Sequence, residues 1–190
     1  ECVVMINDIF ENGRIDIHGG GQDLKFPHHE NEIAQSEAAN GKEFSRYWMH
    51  NGFLNIDNRK MSKSLGNFFT VREISEKYDL QVLRFFMLSA HYRSPLNFSA
   101  ELMEAAKSGL ERIITAAERL KFLMGSAKTE DMAETEAEKF AKSAEYVGNF
   151  ESAMDDDFNT ADAIAAVFDL VKFINTMTDE DSSKEYLENL

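Results

Sequence analysis

The spacing of apolar residues changes along this chain, and the change divides it into two kinds of structure. Up to about Asp57, short apolar runs alternate with glycine-rich or polar turns, a pattern typical of strands and their connections. Beyond Asn67, apolar residues recur at every third or fourth position, as in helices that bury one face. The sequence therefore predicts an α/β region followed by an all-α region, with the domain boundary near Ser94 and Pro95.

The first region is predicted to hold three strands and one helix. The strands are expected at residues 3–9, 15–17 and 48–56, where apolar and β-branched residues cluster. Pro27 suits the first turn of a helix, and the helix is expected over residues 28–39, ending near Gly41.

The second region is predicted to consist only of helices. Thr70 and Glu73 form a capping box, and Asp79 and Ser99 are placed to cap the next two helices. Further helices are expected over residues 134–154 and from Thr160, together forming an antiparallel bundle. The inward-facing positions predicted for these helices are Leu102, Ala106, Leu110, Ile113, Ala117, Leu120 and Met124 in the first, and Ile164, Phe168, Val171 and Ile174 in the last.

Composition limits the setting and the partners. A single cysteine rules out an internal disulfide, and no 18-residue apolar run or secretory pattern is present, which favours a cytoplasmic protein without a membrane span. The net charge of -14 argues against a surface that binds nucleic acid everywhere. Residues 52–100, however, contain seven Lys and Arg and only four Asp and Glu. Any contact with phosphates is therefore expected from local basic positions.

Three residues have the chemistry of a zinc site. His28 and Glu32 are four apart on the predicted helix, so both project from one face and can share an ion that Cys2 also reaches. The alternative is an ordinary surface pair beside a small core cysteine. His29 points about 100° away from His28 on the helix, which indicates either support of the metal ligands or a structural role.

A glycine turn and a lysine loop have the chemistry of nucleotide binding. Gly19, Gly20 and Gly21 are predicted to follow a strand directly, where the backbone can approach a ligand and Asp23 can accept hydrogen bonds from ribose hydroxyls. A tight turn capped by Asp23 is the alternative. In the segment KMSKS, residues 60–64, two lysine ammonium groups suit the charge of a departing pyrophosphate, although an exposed basic loop would have the same composition.

These segments together resemble one enzyme family. Residues 60–64 are similar to the KMSKS signature of class I aminoacyl-tRNA synthetases. The segments DIHGGGQD, FPHHENEIAQS and WMHNG before it, and YDLQVLR and MDDDFNT after it, closely resemble the cysteinyl-tRNA synthetases over nearly the whole chain. The resemblance implies the second half of a Rossmann-like catalytic domain at residues 1–94 and an incomplete helical, tRNA-contacting bundle at residues 95–190.

The resemblance also implies the site. Zn²⁺ would be held by Cys2, His28 and Glu32. The fourth ligand, a cysteine, and the family's HIGH signature are expected upstream. Residues 1–190 by themselves are therefore expected to be inactive. ATP, with Mg²⁺, would be the substrate that Gly19, Gly20, Gly21, Asp23 and Lys63 contact, with Lys60 and Lys63 as catalytic residues. L-cysteine and tRNA(Cys) would be the other substrates, and tRNA contacts are expected near Arg84, Arg93, Lys107 and Arg112.

Two rival functions stay open at this point. A ligase that passes activated cysteine to an amino sugar, as in mycothiol synthesis, would carry the same adenylation motifs. A zinc-binding module that contacts tRNA without catalysis is the second rival, and the two lysines of the KMSKS segment count against it, because a module that only binds does not need to stabilise a leaving group.

Overall fold

The computed structural model describes residues 1–10, 13–56, 59–61 and 69–190, apart from the side chain of Lys60. The chain forms two compact units, one comprising Glu1–Phe68 and Tyr92–Asn97 and the other Phe69–His91 and Phe98–Leu190. The mixed α/β beginning and the helical remainder confirm the predicted fold class. No helix in the described part of the chain is both long enough and apolar enough to cross a membrane.

The first unit is built around two parallel strands and one helix. Strand β1 pairs with β2 so that Ile15 lies opposite Ser45 and Gly21 opposite Asn51. A second small sheet has the order β4-β3-β5. The elements are α1 (Cys2–Ile9), β1 (Ile15–Gly21), a 3₁₀ turn (Gln22–Leu24), an irregular helical turn (Lys25–His29), α2 (Glu30–Asn40), β2 (Ser45–Asn51), β3 (Leu54–Ile56), β4 (Arg59–Lys60) and β5 (Leu96–Phe98).

The strand predicted at residues 3–9 is wrong, because this segment forms helix α1. A short run rich in β-branched residues does not reveal its period, and tertiary contacts decide between helix and strand. Here Val3 is buried, and Asn7, one turn further along, accepts a hydrogen bond of 3.1 Å from Asn40 at the end of α2. One face of α1 is therefore fixed against α2.

The glycine turn is also corrected, because Gly19, Gly20 and Gly21 are the last residues of β1 rather than a turn after it. They pair with residues 49–51 of β2, and a Cβ added at Gly19 would lie 3.1 Å from the carbonyl oxygen of Met49. The strand predicted over residues 48–56 is interrupted by residues 52 and 53, which separate β2 from β3.

Helix α2 begins later than predicted and ends where predicted. Phe26 has an extended backbone, and the irregular turn that contains His28 precedes the regular helix, which starts at Glu30. Gly41 terminates the helix with a φ of 66°, the left-handed conformation that glycine adopts without a steric penalty.

The second unit is helical, and its predicted caps are confirmed. Thr70 and Glu73 form the capping box, and the side chains of Asp79 and Ser99 accept hydrogen bonds from the first turns of the helices that follow them. Strand β5 departs from the expectation that only helices follow residue 67. The helices are α3 (Val71–Ser75), α4 (Leu80–Leu88), α5 (Ala100–Ser126), α6 (Glu134–Asp155), α7 (Thr160–Met177) and α8 (Lys184–Asn189).

The buried face of α5 differs from the predicted stripe. Leu102 and Ala117 are exposed, whereas Met103, Ala116 and Leu123 are buried. The reason is that α5 packs against α4, α7 and α8, so that no single straight stripe covers all its contacts. Helix α6 packs against α7, and the antiparallel order of the bundle stays a prediction.

Glu136 joins α6 to the start of α8 and provides a test of the helical unit. Its buried carboxylate accepts hydrogen bonds from the Ala133 amide at 3.0 Å, the Ser183 amide at 2.9 Å and the Ser183 hydroxyl at 2.7 Å. Burial alone would raise the pKa of this carboxyl, but the hydrogen bonds to the charged form outweigh it and lower the pKa below the ordinary 4.5.

We expect Glu136→Gln to lower the free energy of unfolding by about 1–3 kcal/mol at pH 7, because a buried donor is left without a full acceptor. Since the folded pKa is lowered, the stabilisation is present above the unfolded pKa and is lost as the pH falls through the folded value. Urea unfolding of both proteins at pH 7 and near pH 3 should show a difference that shrinks in acid. Glu138→Gln, an exposed change on the same helix, should have no such effect; equal losses in the two variants would contradict the assignment.

Candidate metal centre

Strands β1 and β2, together with the start of α2, bring five titratable side chains and one tryptophan together. The parallel register places His18 of β1 opposite Trp48 of β2, and His50 lies two residues further along, on the same face. The turn before α2 supplies two adjacent histidines, and the first turn of α2 supplies Glu32. The cluster formed by His18, His28, His29, Glu32, Trp48 and His50 is called the histidine cluster below.

The three residues predicted to bind zinc lie close together. The ligand atoms of Cys2, His28 and Glu32 are all within 4.8 Å of one another, and His28 Nε2 is 3.3 Å from Glu32 Oε1. Two ligands at about 2.0–2.3 Å from one zinc ion lie roughly 3–4 Å apart, so small side-chain rotations would complete the set. A thiolate, an imidazole and a carboxylate are all common zinc ligands, and this donor set fits the ion.

Glu32 connects this donor set to a second one. It is 5% exposed, and its Oε2 lies 2.7 Å from His18 Nε2 while its Oε1 faces His28. The ligand atoms of His18, His29 and Glu32 also lie within 4.8 Å of one another. A carboxylate held by a hydrogen bond on one oxygen presents the other in a fixed direction, as metal-binding carboxylates commonly do.

His29 is buried and extends the network. It is 3% exposed, and its Nδ1 is 2.7 Å from His50 Nε2. Burial, and then the nearby charge of His18, lower the pKa of His29, and burial followed by Lys25 and His18 lowers that of His50. Both shifts favour neutral rings, which is the form in which one imidazole donates to the other.

Trp48 packs within the cluster. Its indole stacks on His50 with an interplanar angle of 4° and meets the ring of His18 edge-on, with centroids 5.0 Å apart. Aromatic packing of this kind fixes the positions of rings that would otherwise rotate. His18, Trp48 and His50 lie in the DIHGGGQD and WMHNG segments that carry the family resemblance, but no role was predicted for them. The pairing of β1 with β2 brings them together.

Of the residues predicted to contact ATP, Gly19, Gly20 and Gly21 form the end of β1, next to the histidine cluster. A Cβ added at Gly20 would lie 3.2 Å from an atom of the His29 ring, so glycine leaves room for that histidine. Asp23 is exposed in the turn after β1. Lys60 lies in β4; its side chain, together with Lys63 and the rest of the segment at residues 62–68, is outside the described residues.

Aminoacyl-tRNA synthetases of known structure contain the fold of this chain. The LeuRS of Agrobacterium radiobacter, in a ternary complex with tRNA and LeuAMS, aligns with a TM-score of 0.73 and 19% identity over 92% of this chain and 24% of its own. The methionyl-tRNA synthetase of Mycobacterium tuberculosis, in complex with methionyl-adenylate, aligns with a TM-score of 0.69 and 20% identity over 85% of this chain and 33% of its own.

Within that class, the chain belongs to the family described as tRNA synthetases class I (C) catalytic domain, whose model matches residues 1–108, and a DALR domain matches residues 149–190. It is 63% identical over its whole length to the cysteine–tRNA ligase of Lachnospira eligens, and 55% identical over 98% of its length to that of Clostridioides difficile. The chain spans about 40% of the length of each of these relatives.

Proposed function

We propose that this chain is part of a cysteine–tRNA ligase, which in full-length form activates L-cysteine with ATP and transfers it to tRNA(Cys) in the cytoplasm. The observation that carries the proposal is the close approach of Cys2, His28 and Glu32, a donor set suited to an ion that distinguishes a thiol from a hydroxyl. The identity to cysteine–tRNA ligases along the whole chain supports the same conclusion.

The donor set would provide amino-acid selectivity. Zinc bound by Cys2, His28 and Glu32 would supply a soft Lewis acid that binds the substrate thiolate in preference to the hydroxyl of serine. A difference of about 4 kcal/mol would give roughly a thousandfold preference, since about 1.4 kcal/mol corresponds to a factor of ten. His18 would act as a positioning residue, because its hydrogen bond of 2.7 Å to Glu32 Oε2 fixes the direction of the carboxylate.

Other residues of this chain would contribute to the adenylation step. The carboxylate of cysteine attacks the α-phosphorus of ATP, the bond to the bridging oxygen breaks, and pyrophosphate leaves with the negative charge. Gly19, Gly20, Gly21 and Asp23 would lie against the adenylate. Lys63, assisted by Lys60, would stabilise the charge on the leaving pyrophosphate, an interaction that strengthens in the transition state and therefore raises the rate.

The acceptor distinguishes the proposal from its nearest rival. The match to cysteine–tRNA ligases continues to the end of the helical unit, which supports tRNA rather than an amino sugar as the acceptor. Basic positions near Arg84, Arg93, Lys107 and Arg112 would contact the tRNA. Incubating the full-length protein with ATP, labelled cysteine and either tRNA or an amino sugar should label only the tRNA; labelling of the sugar would establish the rival ligase.

Zinc content tests the metal centre directly. The full-length protein, purified without added metal, should contain about one zinc per chain by elemental analysis, and His28→Ala should lose about 90% or more of it after dialysis, since an immediate ligand is removed. His91→Ala, the same change in the other unit, should retain the metal. Zinc retained in His28→Ala, or lost equally from both variants, would contradict the proposed ligand set.

A further inference from the structure

The two oxygens of the Glu32 carboxylate face two different groups of possible metal ligands. Oε1 lies 3.3 Å from His28 Nε2, on the side of the proposed zinc ligands, whereas Oε2 lies 2.7 Å from His18 Nε2. An ionised carboxylate accepts through both of its oxygens, so it can bridge two cations. With the proposed zinc ion on Oε1, Oε2 is available to a second ion on the side of His18.

A second set of metal-binding side chains lies on that side of the carboxylate. The ligand atoms of His18, His29 and Glu32 are within 4.8 Å of one another, and the centroids of the two imidazole rings are 4.9 Å apart. Ligands of one zinc ion lie roughly 3–4 Å from one another, so small rotations, mainly of the less buried His18, would admit an ion. His29 and Glu32 are buried by the surrounding packing, so the set is largely formed before an ion binds.

The surroundings of His29 suit a metal-binding imidazole. Its Nδ1 is 2.7 Å from His50 Nε2, and when His29 donates this hydrogen bond its own Nε2 carries a free lone pair. Histidines that bind metals commonly donate their other ring N–H to a neighbouring acceptor in this way, which fixes the tautomer and the ring orientation. Gly20 lets the ring lie against the strand that carries His18, because a Cβ there would be 3.3 Å from His29 Nε2.

The donor atoms of this second set select the kind of ion. Two imidazole nitrogens and one carboxylate oxygen suit Zn²⁺ and the similar ion Co²⁺, whereas Mg²⁺ prefers oxygen ligands and keeps its waters. Three protein ligands leave one position of a tetrahedral ion to water. Two ions that share one carboxylate repel each other, so the second ion binds more weakly than the first. The second site therefore fills only when the free concentration of the metal is higher.

We propose that His18, His29 and Glu32 bind a second divalent cation of the zinc class, which shares the carboxylate of Glu32 with the proposed zinc ion. The second ion replaces the hydrogen bond between His18 and Glu32, so His18 no longer fixes the direction of the carboxylate. Its binding therefore inhibits cysteine activation when free zinc is high. The proposal rests on the proposed function, because the first zinc ion and the inhibited activity both belong to that function.

Metal content in a series of free zinc concentrations tests the second site. Full-length protein dialysed against chelator-buffered zinc should bind about one zinc per chain at low free zinc and about two at about 100 μM, where a site with a dissociation constant of about 10 μM is roughly 90% filled. His29→Gln should bind only the first zinc. His18→Gln should do the same, and it removes a less buried ligand in case circular dichroism shows that His29→Gln does not fold. His91→Gln, the matched change in the other unit, should bind both ions, and Mg²⁺ should not replace the second zinc.

Absence of a second zinc from the unmodified protein, its retention in both cluster variants, or its equal loss from His91→Gln would each overturn the second site. Cysteine-dependent pyrophosphate exchange, measured in the same zinc buffers, should fall about tenfold as the second zinc binds to the unmodified protein. His29→Gln should be inhibited much less, relative to its own rate at low zinc, and equal inhibition of the two proteins would contradict inhibition through this site. Failure of the proposed function would differ from these results, because the unmodified protein would then lack exchange even at low zinc. The difference in zinc content between the unmodified protein and His29→Gln would still report on the second site.

Discussion

Replacing Lys63 by alanine in the full-length protein is expected to slow cysteine-dependent pyrophosphate exchange by about 10²–10³-fold, the effect typical of removing one group that stabilises transition-state charge. The physical reason is that negative charge moves onto pyrophosphate as its bond to the α-phosphorus breaks, so the ammonium group interacts more strongly with the transition state than with bound ATP. The turnover number should therefore fall much more than the affinity for ATP.

Two further variants make this prediction specific. Lys63→Arg keeps the positive charge and should restore part of the rate, although the planar guanidinium differs in shape from an ammonium group. Lys42→Ala removes a lysine that is exposed just after α2, and it should leave the exchange rate unchanged. A near-normal rate in Lys63→Ala would contradict the catalytic role of the KMSKS segment.

The features that the sequence predicted best are those that depend on neighbouring residues. The capping box of Thr70 and Glu73 and the caps at Asp79 and Ser99 are confirmed, because each requires only a side chain and an amide within the first turn of the same helix. The strand expected at residues 3–9 is wrong because the contact of α1 with α2 decides its conformation, and that contact joins residues about 33 positions apart in the chain.

The same difference between local contacts and contacts across the fold applies to the candidate site. His28 and Glu32 are one helical turn apart, so their spacing alone predicted that they would meet, as the distance of 3.3 Å shows. The contribution of His18 depends on the pairing of β1 with β2 and on the placement of α2 over those strands. Its distance of 2.7 Å from Glu32 therefore results from the tertiary structure and could not be predicted from the spacing of residues along the chain.

The junction between β2 and β3 depends on the absence of a side chain at Gly52. Its amide donates to the Tyr92 carbonyl oxygen at 2.7 Å, which brings the backbone of residues 92–95 against it. A Cβ at this position would lie 2.3 Å from the Ser94 carbonyl oxygen and 2.8 Å from the Pro95 nitrogen. Because both are backbone atoms, no side-chain rotation can relieve the overlap.

Gly52→Ala is therefore expected to lower the free energy of unfolding of the first unit by about 3 kcal/mol, a change of more than a hundredfold in the folding equilibrium. Trp48 is the only tryptophan of the chain and lies in this unit, so urea unfolding followed by its fluorescence reports the change. The control is Gly41→Ala in the same unit, where no atom lies within 4 Å of the added Cβ and only the left-handed backbone is penalised, by about 1 kcal/mol. The larger loss at Gly52 would show that the close approach of two backbone segments holds His50 and its strand in place, whereas equal unfolding midpoints for the two variants would show that the segment at residues 92–95 can move aside.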